Sequence, residues 1–166
     1  MIKENTKAPI FKLPSTNKQE YSLKDSIGNY VIIYFYPKDD TPGCTIETND
    51  FNKLFPKFKK LNCEILGISK DNLKSHNKFR DKYKIKFDLL ADEELKVLKK
   101  YKVWGKKKFM GREFMGIIRS TYLIDKTGKI LRAWNNVKVK DHAKEVLETL
   151  QNIEKNKKGP ISGALS

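Results

Sequence analysis

Apolar and polar positions change rhythm several times along the chain, and each change marks an element. "YVIIYFYP" (30–37) is an unbroken apolar and β-branched run closed by proline, the pattern of a strand buried on both faces. The turn cluster "KDDTPG" follows. From Cys44 to about Lys60, the residues Ile46, Phe51, Leu54, Phe55 and Phe58 recur at roughly helical spacing. Pro56 is expected to kink or interrupt that helix near its end. "CEILGIS" (63–69) predicts a second buried strand. "NLKSHNKFRDKY" (72–83) predicts a polar-rich helix with Leu73, His76, Phe79 and Tyr83 along one side, and "DEELKVLKKY" predicts a third helix from about 92. "RSTYLID", "KTG" and "KILRAWNN" predict a hairpin with strands at 119–125 and 129–135 around a glycine turn. A last helix over about 140–155 carries Ala143, Val146, Leu147, Leu150 and Ile153; the tail, 156–166, has no periodicity and is expected to be flexible.

Strands that first alternate with helices and then pair as a hairpin describe a three-layer α/β/α sandwich around a mixed sheet. There is no internal repeat and no linker, so residues 1–155 are read as a single domain. Its 166 residues suit one core, and 39% hydrophobic content argues against wholesale disorder. No run of 18 apolar residues is present and the N-terminus lacks an apolar core of signal-peptide length; a cytoplasmic protein without a membrane partner is expected.

The formal charge of +15 raises the possibility of nucleic-acid binding. The lysines, however, are spread along the chain and interleaved with acidic residues. The densest basic patches, Lys106 to Lys108 and Lys155 to Lys158, belong to no nucleic-acid motif. A solvated, lysine-biased surface with no specific nucleic-acid partner is the expectation. Two cysteines 19 positions apart make neither a disulfide framework nor a C-x-x-C motif, and with only His76 and His142 available, no metal site or other cofactor is expected.

Chemistry centres on Cys44. If the first strand ends near Pro37 and the helix begins near Cys44, the thiol lies beyond the carboxyl end of a central strand, where open α/β sheets place their sites. It also faces a helix N-terminus, whose unpaired N–H groups favour a thiolate, the nucleophilic form. An unassisted thiol with a pKa near 8.5 is only a few per cent ionised at pH 7. The helix end supplies about 0.3–1 kcal/mol, so a further cation is required. Arg119, at the mouth of another strand in an apolar segment, offers a permanently charged fork of donors; a surface strand-end arginine is the competing reading. Free cysteine is usually buried, but the Pro42–Gly43 turn and the polar "TIET" after Cys44 argue for exposure and reactivity. Thr41 is a turn or cap residue whose hydroxyl could bridge the thiolate and an incoming oxygen. Pro37 either ends the strand or shields the thiolate from water. Glu47 is either a first-turn acid or the partner that orients Arg119. His76 reads as a helix-face packing residue rather than a general base.

"YPKDDTPGCT" holds P-x-x-x-T-x-x-C as Pro37, Thr41 and Cys44, with Gly43 completing the turn. This resembles the peroxiredoxin active-site motif. "YKVWGKKKFMGREFMGIIRSTYLIDKTGKI" (101–130), together with "LGIS" and "SHNKF", resembles the bacterioferritin comigratory protein or Q-type branch of the AhpC/TSA superfamily. The likeness covers about residues 4–155. It implies a thioredoxin-like fold and thiol-dependent reduction of hydrogen peroxide and organic hydroperoxides, for antioxidant defence and redox homeostasis. It further implies Cys44 as the peroxidatic cysteine passing through a sulfenic acid, Thr41 and Arg119 as activating donors, Pro37 as the shield, and no metal, haem or flavin. Members of the branch are often monomers, and a monomer is expected.

The chain departs from the branch in one respect. Many members carry a second, resolving cysteine five positions after the first; here that position is Asn49. Cys63, opening a predicted central strand, reads as a buried structural thiol rather than a resolving one, because a disulfide needs Cα atoms within about 7 Å. The expectation is a one-cysteine cycle resolved by an external thiol, either thioredoxin or a small thiol such as glutathione, or glutaredoxin. The alternative is a peroxide sensor or chaperone-like binding protein switched by Cys44 oxidation, with little turnover.

Overall fold

A six-residue strand with every side chain buried, Tyr30–Phe35, organises the fold. Its side chains alternate strictly between two apolar clusters: Tyr30, Ile32 and Tyr34 enter one, and Val31, Ile33 and Phe35 the other. Period-2 alternation with both faces apolar requires cover on both sides. The computed structural model describes the backbone of residues 1–165 and the side chains of residues 1–157. The backbone of the last helix runs on to Leu165, through the tail expected to be flexible over 156–166, while the side chains beyond 157 lie outside those described.

In chain order the elements are β1 (Lys12–Leu13), β2 (Tyr21–Ser22), a 3₁₀ turn (Leu23–Ser26), β3 (Tyr30–Phe35), α1 (Pro42–Lys60), β4 (Cys63–Ser69), α2 (Leu73–Tyr83), β5 (Asp88–Ala91), α3 (Lys96–Lys100), β6 (Trp104–Phe109), β7 (Arg112–Ile117), β8 (Ser120–Ile124), β9 (Ile130–Trp134) and α4 (His142–Leu165). The main sheet has the order β5-β4-β3-β8-β9. β3, β4 and β5 run parallel, whereas β8 and β9 are antiparallel to their neighbours. This is the expected mixed sheet. α1, α2 and α4 supply Phe51, Phe58, Phe79, Val146 and Leu150 to the cluster on one face; α3 and the N-terminal segment supply Val97, Leu98, Phe11 and Leu13 to the other. Among the described residues, no helix is long and apolar enough to cross a membrane.

Three features that position the site have local causes. Tyr34 crosses over Gly67 of β4, where a Cβ would lie 2.8 Å from the ring, so only glycine admits the crossing. The ring then stacks on Phe51 at 4.8 Å, and its hydroxyl meets Thr48 Oγ1 at 2.9 Å. β3 and α1 are thereby locked together. α1 itself starts at Thr41, which is extended (φ −96°, ψ 156°) and followed by Pro42, whose fixed φ and missing N–H suit a first helical position.

Pro56 does not interrupt α1, contrary to the sequence expectation. It lies on the exposed side, and the burial of Phe58 beyond it draws the helix onward. The third helix is also shorter than expected. Residues 92–95 form a turn with Leu95 in the left-handed region (φ 64°), and Asp92 Oδ2 accepts from the Leu98 N–H at 2.8 Å. Neither β5 nor the β6–β7 hairpin was signalled by periodicity.

Candidate active site

At the carboxyl end of β3 the chain leaves the sheet through residues 36–41 and re-enters structure at α1. Cys44 is the third residue of α1, in the first turn where backbone N–H groups lack helical partners. Its thiol is 1% exposed. This corrects the expectation of exposure drawn from "TIET": Glu47 and Thr48 turn inward and are buried, while Ile46 is 53% exposed. The inversion has a cause 72 residues away. Arg119, in the link between β7 and β8, donates from Nη1 to Glu47 Oε1 at 2.6 Å and from Nη2 to Cys44 Sγ at 3.3 Å. Cys44 and Glu47, three residues apart, share a helix face, and one guanidinium bridges both. Gly43 packs beside it, and a Cβ there would meet Nη2 at an ordinary contact distance of 3.4 Å. Glu47 therefore orients Arg119, and being in the second turn it is no first-turn acid.

The electrostatics of this trio are tight. Burial pushes the Glu47 carboxyl up to about 7, against the pull of Arg119. Its second oxygen, Oε2, is buried with no hydrogen-bond partner. Burial opposes the charge on Arg119, but Glu47 and Cys44 outweigh it and raise its pKa. A second cation reaches the same space. Lys107 of β6, half-buried, donates to Ile117 O at 2.8 Å, and burial together with Arg119 lowers its pKa while Cys44 raises it. His142, at the start of α4, bonds Thr121 Oγ1 at 2.8 Å, and burial, with Arg119 adding to it, pushes its imidazole down to about 4.

Thr41 is not brought to the thiol. Its hydroxyl turns back and donates to Lys38 O at 2.9 Å, and it makes no side-chain cap to the helix. Pro37 is half-buried at the first bend of the loop. His76 is fully buried on α2 as a packing residue would be, but it is also the centre of a polar network. Nε2 meets Leu90 O at 2.9 Å and so carries a hydrogen, and Nδ1 lies 2.7 Å from Asp39 Oδ2. Asp39 further accepts from Tyr36 Oη–H at 2.6 Å and Ser75 Oγ–H at 2.7 Å, and its own N–H donates to Asp71 Oδ2 at 2.7 Å. The next residue, Asp40, accepts from Lys82 Nζ and Tyr83 Oη–H at the surface. α2 thus clamps the loop between Pro37 and Cys44. Sequence reasoning missed Asp39 and Lys107. The pair of aspartates between strand and helix was the available signal for the first; Lys107 was hidden within a basic run.

Cys63 is buried at the opposite end of the sheet. It opens β4 and pairs in register with Tyr30, the first residue of β3. Five strand steps separate that level from Phe35, or roughly 17 Å at about 3.3 Å per residue, and Cys44 lies beyond Phe35. Its thiol donates to Glu64 O at 3.5 Å, and burial pushes its pKa far up.

Known proteins resemble this chain in sequence and in fold. The AhpC/TSA family model matches residues 5–133. The chain is 44% identical over 152 residues to the peroxiredoxin Bcp of Bacillus subtilis, covering 92% of this chain and 97% of that one. It is 47% identical over 143 residues to a putative peroxiredoxin bcp of Helicobacter pylori, covering 86% and 94%. Among solved structures, the bacterioferritin comigratory protein of Xanthomonas campestris, studied for alkyl peroxide reduction, superposes with a TM-score of 0.81 at 39% identity, covering 86% of this chain and 90% of the other. BcpB of Mycobacterium tuberculosis gives 0.81 at 28% identity, covering 92% and 99%.

Proposed function

The chain belongs to the AhpC/TSA family and is a thiol peroxidase of the peroxiredoxin type, and from that premise we propose that Cys44 is its peroxidatic cysteine, working in a one-cysteine cycle. The observation that carries this reading is the guanidinium of Arg119 held between Cys44 Sγ and Glu47 Oε1. A fixed cation 3.3 Å from sulfur favours the thiolate, and Glu47 keeps that cation from swinging into water. The thiolate attacks one oxygen of the hydroperoxide in line with the O–O bond. An S–O bond forms, the O–O bond breaks, and the departing alkoxide or hydroxide takes a proton to leave as alcohol or water. Donors from Arg119 and the first-turn N–H groups stabilise charge on the oxygens, as an oxyanion hole does. Thr41 joins them by exchanging Lys38 O for the peroxide, and Pro37 keeps water from the thiolate.

The sulfenic acid then needs an external thiol. Cys63 is separated from Cys44 by the length of β3, and Asn49 stands where a local partner would be. The protein acts as a monomer in this reading. Intact mass and peptide mapping after one equivalent of hydrogen peroxide with a sulfenic-acid trap test it. The expected result is an adduct confined to the Cys44 peptide; a Cys44–Cys63 disulfide without adduct overturns the one-cysteine cycle, and an unmodified protein overturns the assignment of Cys44.

A further inference from the structure

The basic run Lys106–Lys108, which matched no nucleic-acid motif, lies beside the candidate active site. A cleft of about 400 Å³ is lined by Lys106, Lys107, Lys108, Ile118, Arg119, Asn136 and Val137, a volume within the ordinary range for small-ligand sites. Four of these are cations and none is acidic. The acids nearby are already engaged: Glu113 lies 3.9 Å from Lys108 Nζ on the exposed face of the hairpin, and Glu47 is bound to Arg119. Lys106 and Lys107 make no ion pair among the described residues. Arg119 belongs to both places, lining the cleft and touching Cys44 Sγ. Cys44 itself, 1% exposed, does not line the cleft, so Arg119 is the group that joins the cleft to the sulfur.

We propose that this cleft is the binding site of the resolving reductant, a small thiol that carries carboxylates, held by Lys106 and Lys107 with its sulfur directed at Cys44. The inference rests on the one-cysteine reading above, in which hydrogen peroxide and neutral hydroperoxides need no such charge and the missing internal partner must be replaced from solution. In the first step the thiolate of the reductant attacks Cys44–S–OH. An S–S bond forms, the S–O bond breaks, and hydroxide leaves with the thiol's proton as water. A second molecule of the same thiol attacks the sulfur of the first. That step releases the small-molecule disulfide and the Cys44 thiolate, so two thiols are oxidised for each peroxide reduced. Lysine clusters around a cleft raise the local concentration of an anion, and salt of physiological strength screens charges beyond about 8 Å.

The test is a double-mixing experiment on the whole chain. Hydrogen peroxide first converts Cys44 to the sulfenic acid, confirmed by trapping, and the product is then mixed with glutathione or with its neutral-carboxyl diethyl ester. The ratio of the two rate constants is compared between wild type and the Lys106→Gln/Lys107→Gln variant, so that the intrinsic reactivities of the two thiols cancel. The ratio is expected to fall about five- to tenfold in the variant, and the wild-type ratio to fall as salt is raised. Lys106→Glu, at an exposed position, lowers the ratio further, and Lys107→Arg restores it. An equal ratio in wild type and variants overturns the proposal. A charge preference found only when the first step is run with a carboxylate-bearing hydroperoxide assigns the cleft to the peroxide instead and also overturns it. A chain in which no trap adduct forms at Cys44 fails earlier, at the assignment of the peroxidatic residue.

Discussion

The two ends of β3 present two thiols that burial alone does not tell apart: Cys44 is 1% and Cys63 3% exposed. What differs is what each sulfur meets. Cys44 lies on a helix N-terminus with a guanidinium at 3.3 Å. Cys63 meets a backbone carbonyl, and the nearby charge is the Glu64 carboxylate, which with burial holds the proton on sulfur. A low dielectric strengthens whichever charges it encloses, so equal burial sets a guanidinium against one sulfur and a carboxylate beside the other. If Cys44 is the peroxidatic residue, as proposed, reactivity follows the neighbouring charge and not exposure. The largest expected effect breaks the symmetry outright. Cys44→Ser reduces peroxide consumption to the uncatalysed background, whereas Cys63→Ser retains turnover with an external thiol, as followed by peroxide electrode. Loss of turnover in Cys63→Ser with intact single-turnover oxidation sinks the contrast.

Arg119 is the second way to sharpen it. Removing one preorganised donor at a developing oxyanion commonly costs about 10²–10³ in rate, and Arg119→Met is expected to lose that much in the oxidation step measured by stopped flow. Arg119→Lys does not restore it, because one ammonium cannot reach Cys44 and Glu47 together as the fork does at 3.3 and 2.6 Å. Restoration by lysine to near wild-type rates shows that charge alone suffices and that the bridge is incidental.

A smaller effect, about tenfold, is expected from loosening the loop at the Cys44 end. His76 is a positioning residue, acting through Asp39 on the segment that leads to Cys44. His76→Asn slows oxidation by peroxide while speeding alkylation of Cys44 by neutral iodoacetamide, since a freed loop exposes the sulfur but misplaces its donors. Alkylation of Cys63, read in the same digest, serves as the internal reference. If both cysteines become labelled together, the variant has lost the fold and His76 has only a packing role.

Much of this was legible in the sequence, and the limits have physical reasons. β3 and β4 announced themselves because strands buried on both faces must be apolar throughout, and Cys44 stood out because Pro42 and Gly43 mark a turn into a helix. What could not be read were interactions decided by distant residues. Glu47 and Thr48 look like solvent-facing helix positions until Arg119, 72 residues on, and Tyr34 supply partners for them. The Asp39–His76 pair spans 37 residues. The β6–β7 hairpin shows no alternation because its outer residues, Lys106, Lys108, Phe109 and Met115, are exposed alike, and pairing rather than burial holds it. Thr41 was placed correctly at the helix start, but its rotamer was beyond reach.

The last effect concerns stability rather than rate, and again separates the two ends. Glu47 holds its proton up to about 7 in the native state against an ordinary 4.5. Between these values the folded protein keeps a proton that the unfolded chain has lost, so this group's contribution to stability is lost as pH rises. His142 has the opposite sign: its native value is about 4 against 6.5, so the unfolded chain holds the extra proton and stability is lost as pH falls. Each shift amounts to a few kcal/mol at its limit, on the order of 1.4 per unit. Over pH 4.5–6.5 the two slopes oppose one another. Urea titrations across this window, read as differences from wild type, are expected to show stability climbing with pH in Glu47→Gln and falling with pH in His142→Gln. Cys63→Ser removes a thiol that stays protonated throughout the range, so its curve runs parallel to that of the wild type. Two variant curves that bend the same way show that Glu47 and His142 do not titrate as the buried, oppositely shifted pair around Arg119 requires.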